Sequence, residues 1–178
     1  MKKITLLFAL LLSWCLCVNS NAQIQTSFWG LELSKSYTLY EAKGIISNRC
    51  DDISVRFSEN ELLAFDGRFG GYVWDYASFS FYGGGDDNKL SKVLFFSSFS
   101  DYDSAEIRYK ALLRKLEEKY GSSIMLSSLS HWWSDSDWKY KCNLCMMLSS
   151  DETEILVALA YFDTDLWDAS NQEEDDEL

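Results

Sequence analysis

Residues 71–99 read GYVWDYASFSFYGGGDDNKLSKVLFFSSF, two strand-like runs separated by a glycine-rich turn. In the first run Val73, Ala77, Phe79 and Phe81 share one parity, and Tyr72, Trp74 and Tyr76 share the other. Successive side chains of a strand point to opposite faces. This alternation therefore predicts an inward row led by Val73 and an outward aromatic stripe of Tyr72, Trp74 and Tyr76. The turn Gly83-Gly84-Gly85-Asp86-Asp87-Asn88 predicts a hairpin. The second run, Leu90 to Phe99, is apolar on both parities at Val93, Leu94, Phe95 and Phe96. Such a strand is expected at the centre of a sheet, covered on both faces.

Upstream, Ile53, Val55 and Phe57 alternate with Ser54 and Arg56, and Leu63, Phe65, Gly67 and Phe69 alternate with Ala64, Asp66 and Arg68. Thr26 to Leu33 predicts a short apolar strand. A helix capped by Ser34 or Ser36 is expected to run to about Lys43 and to close at Gly44. Downstream, Ser104 to Tyr120 is the clearest helix. Ala105, Tyr109, Leu112, Leu113, Leu116 and Tyr120 fall on one face and charged residues on the other. Asp103 with Glu106 is the expected capping pair, and Gly121 the terminator. Ile124–Leu129, Trp138–Leu148 and Ile155–Phe162 complete the strand set.

The resulting order, β-α-β-β-β-β-α-β-β-β, lacks regular βαβ alternation, so the sheet is expected to be mainly antiparallel. Two helices on one face give an α+β two-layer sandwich. Each helix is followed by three or four strands, a faint doubling of plan. With no proline in the chain, the turns fall to Gly, Asp, Asn and Ser.

The termini read differently from this core. Met1-Lys2-Lys3, an apolar run from Ile4 to Val18, and Asn19-Ser20-Asn21-Ala22 have the three-part layout of a signal peptide cleaved near Ala22-Gln23. The apolar run is shorter than the roughly 20 residues a spanning helix needs. The expected organisation is thus a signal peptide over 1–22, one α+β domain over 23–165 and a flexible acidic tail over 166–178. Trp14 and Leu16 precede Cys15 and Cys17, where lipid attachment would need a small residue. The expected product is therefore exported, periplasmic or secreted, with no transmembrane segment.

Formal net charge is −12, and loss of Lys2 and Lys3 takes it to −14. That balance opposes nucleic-acid binding, which needs Lys and Arg against phosphates. Eight acidic residues and no basic one lie in 163–178, the pattern of a solvated segment.

Several short constellations were weighed for chemistry. Cys142-Asn143-Leu144-Cys145 is the one CxxC, but it sits in an alternating stretch, whereas a redox pair opens a helix whose dipole lowers a thiol pKa. Strand parity points Cys142 inward and Cys145 outward. Cys50 takes the outward parity of its strand, so Cys50–Cys145 is the disulfide candidate of an oxidising compartment. His131, the sole histidine, lacks the second imidazole of most zinc sets. Asp86-Asp87-Asn88, Asp135-Ser136-Asp137 and Asp163-Thr164-Asp165 lack the order of a calcium loop, so turn and capping chemistry accounts for them. No cofactor, metal or catalytic residue is expected.

Phe28-Trp29-Gly30-Leu31, Phe69-Gly70-Gly71-Tyr72-Val73-Trp74, Phe79-Ser80-Phe81, Leu116-Glu117-Glu118-Lys119-Tyr120-Gly121 and Ala160-Tyr161-Phe162-Asp163, with the acidic ending in Glu-Leu, together carry a resemblance. The chain resembles uncharacterised small exported proteins of Bacteroidetes, which implies an exported α+β domain and no catalytic residues. The helix-then-strands order is also similar to β-lactamase-inhibitor-like domains, which bind other proteins. That likeness is one of fold.

The aromatic surplus then carries the functional expectation. Tyr72, Trp74 and Tyr76 on the outward parity, with Trp132 and Trp133 in a loop-like stretch, are the candidate partner- or ligand-binding residues. The alternative role of that stripe is to be covered by a helix, the tail or a second copy in a homodimer. The expected function is a non-enzymatic exported binding module contacting an envelope or extracellular protein. A glycan-binding module using Trp and Tyr as sugar platforms comes next, and a hydrolase third.

Overall fold

A computed structural model describes residues 23–84, 88–150 and 152–176. The expected signal peptide, the middle of the Gly83–Asn88 turn, Asp151 and the last two residues lie outside the described residues.

The architecture is α+β. Ten strands are described: β1 (Ser27–Phe28), β2 (Leu31–Glu32), β3 (Asp52–Arg56), β4 (Glu61–Phe69), β5 (Tyr72–Tyr82), β6 (Lys89–Phe99), β7 (Ile124–Ser127), β8 (Ser130–Ser134), β9 (Tyr140–Leu148) and β10 (Ile155–Asp163). The described helices are α1 (Leu39–Ile46), α2 (Tyr102–Tyr120) and α3 (Thr164–Asp176). β1 and β2 form a small hairpin, and the other eight build one antiparallel sheet in the order β3-β4-β5-β6-β10-β9-β8-β7.

That order resolves the faint doubling seen in the sequence. Each of α1 and α2 leads into a four-stranded meander, and the two meanders join through their last strands, β6 and β10. Central placement of β6 matches its apolar residues on both parities.

α1 and α2 cover one face and bury Phe28, Ile46, Phe79, Phe95, Leu112 and Leu116 against the sheet. Caps set both helices. α1 starts after Thr38, whose hydroxyl accepts from the Glu41 amide while Glu41 accepts from the Thr38 amide. It continues through Gly44 to Ile46, so the expected stop at Gly44 does not occur. α2 starts two residues earlier than its pattern suggests, because Asp101 rather than Asp103 is the cap, accepting from the Ser104 amide at 2.8 Å. Gly121 ends it at φ 83°, a backbone region costly for residues with a Cβ. A second glycine is required by packing: a Cβ on Gly67 would lie 2.3 Å from Cη2 of Trp29, which folds over β4.

Three expectations change. The Trp132–Trp133 stretch is not a loop but strand β8, because Ile124–Leu129 turns back on itself after β7. The acidic segment is helical over Thr164–Asp176 rather than an irregular tail. Asp163 starts it by accepting from the Leu166 amide at 3.2 Å, and Trp167 packs on Phe162 at 6.1 Å. This third helix lies against the face opposite α1 and α2, giving that side of the sheet a partial third layer.

The last change concerns the quoted stretch itself. Leu62 and Ala64 of β4 face the helices, but so do Gly67 and Phe69. In β5, Ala77 and Phe79 face them, yet so does Trp74, which is 0% exposed, while Val73 is 44% exposed. Both strands therefore exchange faces near Asp66 and Asp75. Asp66 adopts φ 53°, a left-handed geometry that Asp tolerates better than most residues. The outward stripe of Tyr72, Trp74 and Tyr76 is thereby split: Tyr72 and Trp74 turn to the helix side, and Tyr76 alone remains on the other face.

Candidate functional site

Three concavities collect the aromatic side chains singled out from the sequence. Tyr72 and Trp74 line a cleft of about 180 Å³ beneath α2. Trp74 is locked in place by its indole N–H, which donates to the Phe69 carbonyl at 3.0 Å. Tyr76 lines a groove of about 400 Å³ on the opposite face, with Arg56, Glu61, Ser78, Lys92 and Phe96. Trp132 and Trp133 line a third hollow of about 320 Å³ at the β7–β9 corner, with Ile124, Leu126, Trp138 and Lys141. The five candidates thus serve three places and form no single stripe.

The groove around Tyr76 mixes apolar side chains such as Leu63, Phe65 and Leu94 with polar groups that pair among themselves. Glu61 accepts from the Ser78 hydroxyl and pairs with Arg56 at 3.6 Å. Tyr76 stacks on Phe96 at 4.7 Å between ring centroids. Burial, reinforced by Glu61 and Asp75, raises its phenol pKa. An ionised phenol is therefore disfavoured there.

The β7–β9 corner is of another kind. Ile124, Leu126 and Trp138 are 49%, 64% and 56% exposed, a concentration of large apolar surface facing solvent. Trp132 forms the floor, edge-on to Phe162 at 5.3 Å. Its buried indole nitrogen has no hydrogen-bond partner among the described residues. Trp138 is held at φ 59° in the turn before β9, which presents its ring instead of folding it into the strand. Lys141 sits beside it, 5.8 Å from the ring centroid. β7 is also a sheet terminus with no strand on its outer side among the described residues, and all four of its residues are exposed. Ile124 pairs across with Trp132, so the edge strand's apolar side chains extend the hollow's wall. Trp133 contributes differently. It is 4% exposed and donates to the Gly121 carbonyl at 2.9 Å, tying β8 to the end of α2.

The cysteines do not make the predicted bridge. Cys50, Cys142 and Cys145 are all free thiols. Cys50 precedes β3 and Cys145 lies in β9, five strand spacings away in the sheet. At about 4.8 Å per spacing that is roughly 24 Å, far beyond the ~7 Å Cα limit of a disulfide. Parity had been read correctly for Cys142, which is fully buried, and for the partly exposed Cys145. Parity alone does not tell which strands are neighbours. Burial raises the thiol pKa of Cys142 strongly and that of Cys145 to about 11, opposite to what a redox CxxC requires.

Sequence reasoning missed one pairing. Ser123 and His131 approach to 2.7 Å between Oγ and Nδ1 across β7–β8. The imidazole lies between Tyr109 and Trp133, at 6.1 and 6.3 Å between ring centroids. No carboxylate orients its second nitrogen among the described residues, so the pair fastens the corner's inner side. No cluster of three or more metal-type side chains occurs among the described residues. Asp163 is buried and occupied as a cap and as acceptor from the Ser34 hydroxyl. No helix among the described residues is long and apolar enough to cross a membrane.

Comparison with protein-family models, with curated proteins and with solved structures finds no match to the chain.

Proposed function

We propose that the mature chain is a non-enzymatic exported module that binds a protein partner through the β7–β9 corner. One observation carries the reading: Ile124, Leu126 and Trp138, with Trp132 as floor, expose an apolar surface beside a sheet edge that has no neighbouring strand among the described residues. Exposed apolar patches of this kind mark interaction sites. An unpaired edge supplies backbone donors and acceptors that fit an added strand. The partner chemistry follows: an extended segment whose alternate side chains are apolar. Its backbone would pair with β7 and its side chains fill the hollow between Trp132 and Trp138. The resemblance to domains that bind other proteins points the same way. The chemistry-bearing groups support a non-catalytic role, since Glu61, His131 and Asp163 are each engaged in the packing described above.

Photo-crosslinking in cells that make the protein natively tests this. A photoreactive residue at position 126 or 138 is expected to yield one discrete protein adduct, lost on Ile124→Lys. The same group at position 54, on the opposite edge, is expected to yield none. Equal labelling from both edges, adducts only with a second copy of the chain, or none at all would overturn the proposal. Saturable binding of a neutral oligosaccharide that quenches Trp132 and Trp138 would favour the sugar-platform reading in its place.

A further inference from the structure

The cleft beneath α2 carries a separate chemistry, set by how that helix distributes its charges. On its solvent side α2 pairs Glu106 with Lys110 at 3.0 Å and Arg114 with Glu118 at 3.8 Å. On the side facing the cleft, Arg108, Lys115 and Lys119 have no carboxylate within 4 Å among the described residues. Their partners are neutral. Arg108 donates to the Val73 carbonyl and the Ser97 hydroxyl, Lys115 reaches the Gly70 carbonyl at 3.5 Å, and Lys119 donates to the Gln25 side chain at 2.8 Å. Lys115 and Lys119 are one turn apart on the same face, a like-charge arrangement that disfavours the helix. In a chain with 28 acidic residues, this cationic rim stands unneutralised over a cavity.

The cavity beneath is aromatic. Tyr72 lies under two cations, 4.7 Å from Arg108 and 4.4 Å from Lys115. Phe69, Trp74, Leu116 and Tyr161 line the space farther in, and the Gly70–Gly71 turn forms a wall without side chains. At about 180 Å³ the space exceeds the ~150 Å³ that admits one benzene ring in an engineered apolar cavity. The negative charge elsewhere does not close the site to anions, because at physiological salt the screening length is about 8 Å.

We infer that this cleft binds a small carboxylate with an aromatic body, its ring resting against Phe69 and Tyr72 and its carboxylate bridging Lys115 and Lys119. Two ammonium groups a helical turn apart offer charge-assisted hydrogen bonds to the two carboxylate oxygens. The site is distinct from the β7–β9 corner, and neither reading depends on the other.

The test uses 3-phenylpropionate and its neutral amide, followed by NMR on the mature protein. The Trp74 indole N–H, fixed on the Phe69 carbonyl, is the reporter. The carboxylate is expected to shift that resonance saturably with a Kd on the order of 1 mM or tighter. The amide is expected to bind at least about tenfold more weakly, the cost of losing the charged contact. The double variant Lys115→Met, Lys119→Met keeps the packed stems and is expected to lose the same factor while its melting temperature stays unchanged. No saturable shift, equal binding of the amide, undiminished binding by the double variant, or shifts confined to Trp132 and Trp138 would each overturn the inference.

Discussion

The two halves of the sheet share one plan, a helix followed by a four-stranded meander, but they finish their edges in opposite ways. The first half ends at β3, where Asp52 and Arg56 place charges on the edge and α1 lies alongside. The second ends at β7, which is short, uncharged and exposed throughout. Charged residues on an edge strand discourage pairing with other chains. An apolar, unguarded edge permits it. The first half also bends: β4 and β5 exchange faces at Asp66 and Asp75, and so draw Trp74 into the core. In the second half Cys142, Leu144 and Met146 keep strict alternation along β9. The same plan has thus been turned inward in one half and outward in the other.

The largest test of that contrast is Trp74→Ala against Tyr76→Ala. Trp74 is fully buried, so its truncation is expected to cost about 3–5 kcal/mol. Tyr76, on the other face and partly exposed, is expected to cost no more than about 1.5 kcal/mol. Urea denaturation of both variants decides it. A reversed ranking would mean that β5 alternates as its sequence suggests and that no exchange of faces occurs.

A smaller effect sharpens the chemistry of the second half, which holds two of the three thiols. Cys145 is raised from its ordinary 9.0 to about 11, and Cys142 is raised further by complete burial. Their folded forms hold protons that the unfolded chain releases above pH 9. Stability is therefore expected to be level below pH 8.5 and to fall as pH rises toward 11, by at most about 1.4 kcal/mol per unit for each thiol. Thermal melts across that window should flatten in Cys142→Ala, Cys145→Ala. An unchanged slope would assign the alkaline loss to other groups, such as the buried Tyr109 phenol, which burial raises to about 12.

The smallest effect probes the turning point of the first half. Asp66→Val places a β-branched side chain at φ 53° and is expected to cost roughly 1–2 kcal/mol, whereas Asp66→Gly should be near neutral. Equal costs in equilibrium unfolding would mean that the left-handed angle is not what turns the strands.

Much of the fold was legible locally. The stretch from Ser104 to Tyr120 announces a helix, and β6 announces a central strand by being apolar on both parities. The CxxC announces its strand, because alternation spans it without a break. The aromatic sites were legible only as residue types. The weak pattern of 124–134 puts Trp132 in a loop-like stretch, whereas it lines a hollow from within strand β8. Parity puts Tyr72 and Trp74 on the wrong face, because it assumes an unbroken strand, whereas β5 breaks its alternation at Asp75, opposite the left-handed Asp66 of β4. The helix of Thr164–Asp176 was hidden by its acidity. Trp167 anchors it, resting on Phe162 and under Lys92 at 4.2 Å, and the Lys92 contact joins residues 75 positions apart.

The sequence by itself determined most of the elements, though not β8 or α3, together with the antiparallel α+β architecture and the apolar face of α2. These follow from periodicity and capping within a few residues. Tertiary structure alone decided which strands are neighbours, and so that Cys50 and Cys145 do not meet. It also decided which way Trp74 points and which edge of the sheet is left open. Those outcomes rest on cross-strand register and on one backbone angle at Asp66, quantities that side-chain alternation does not encode.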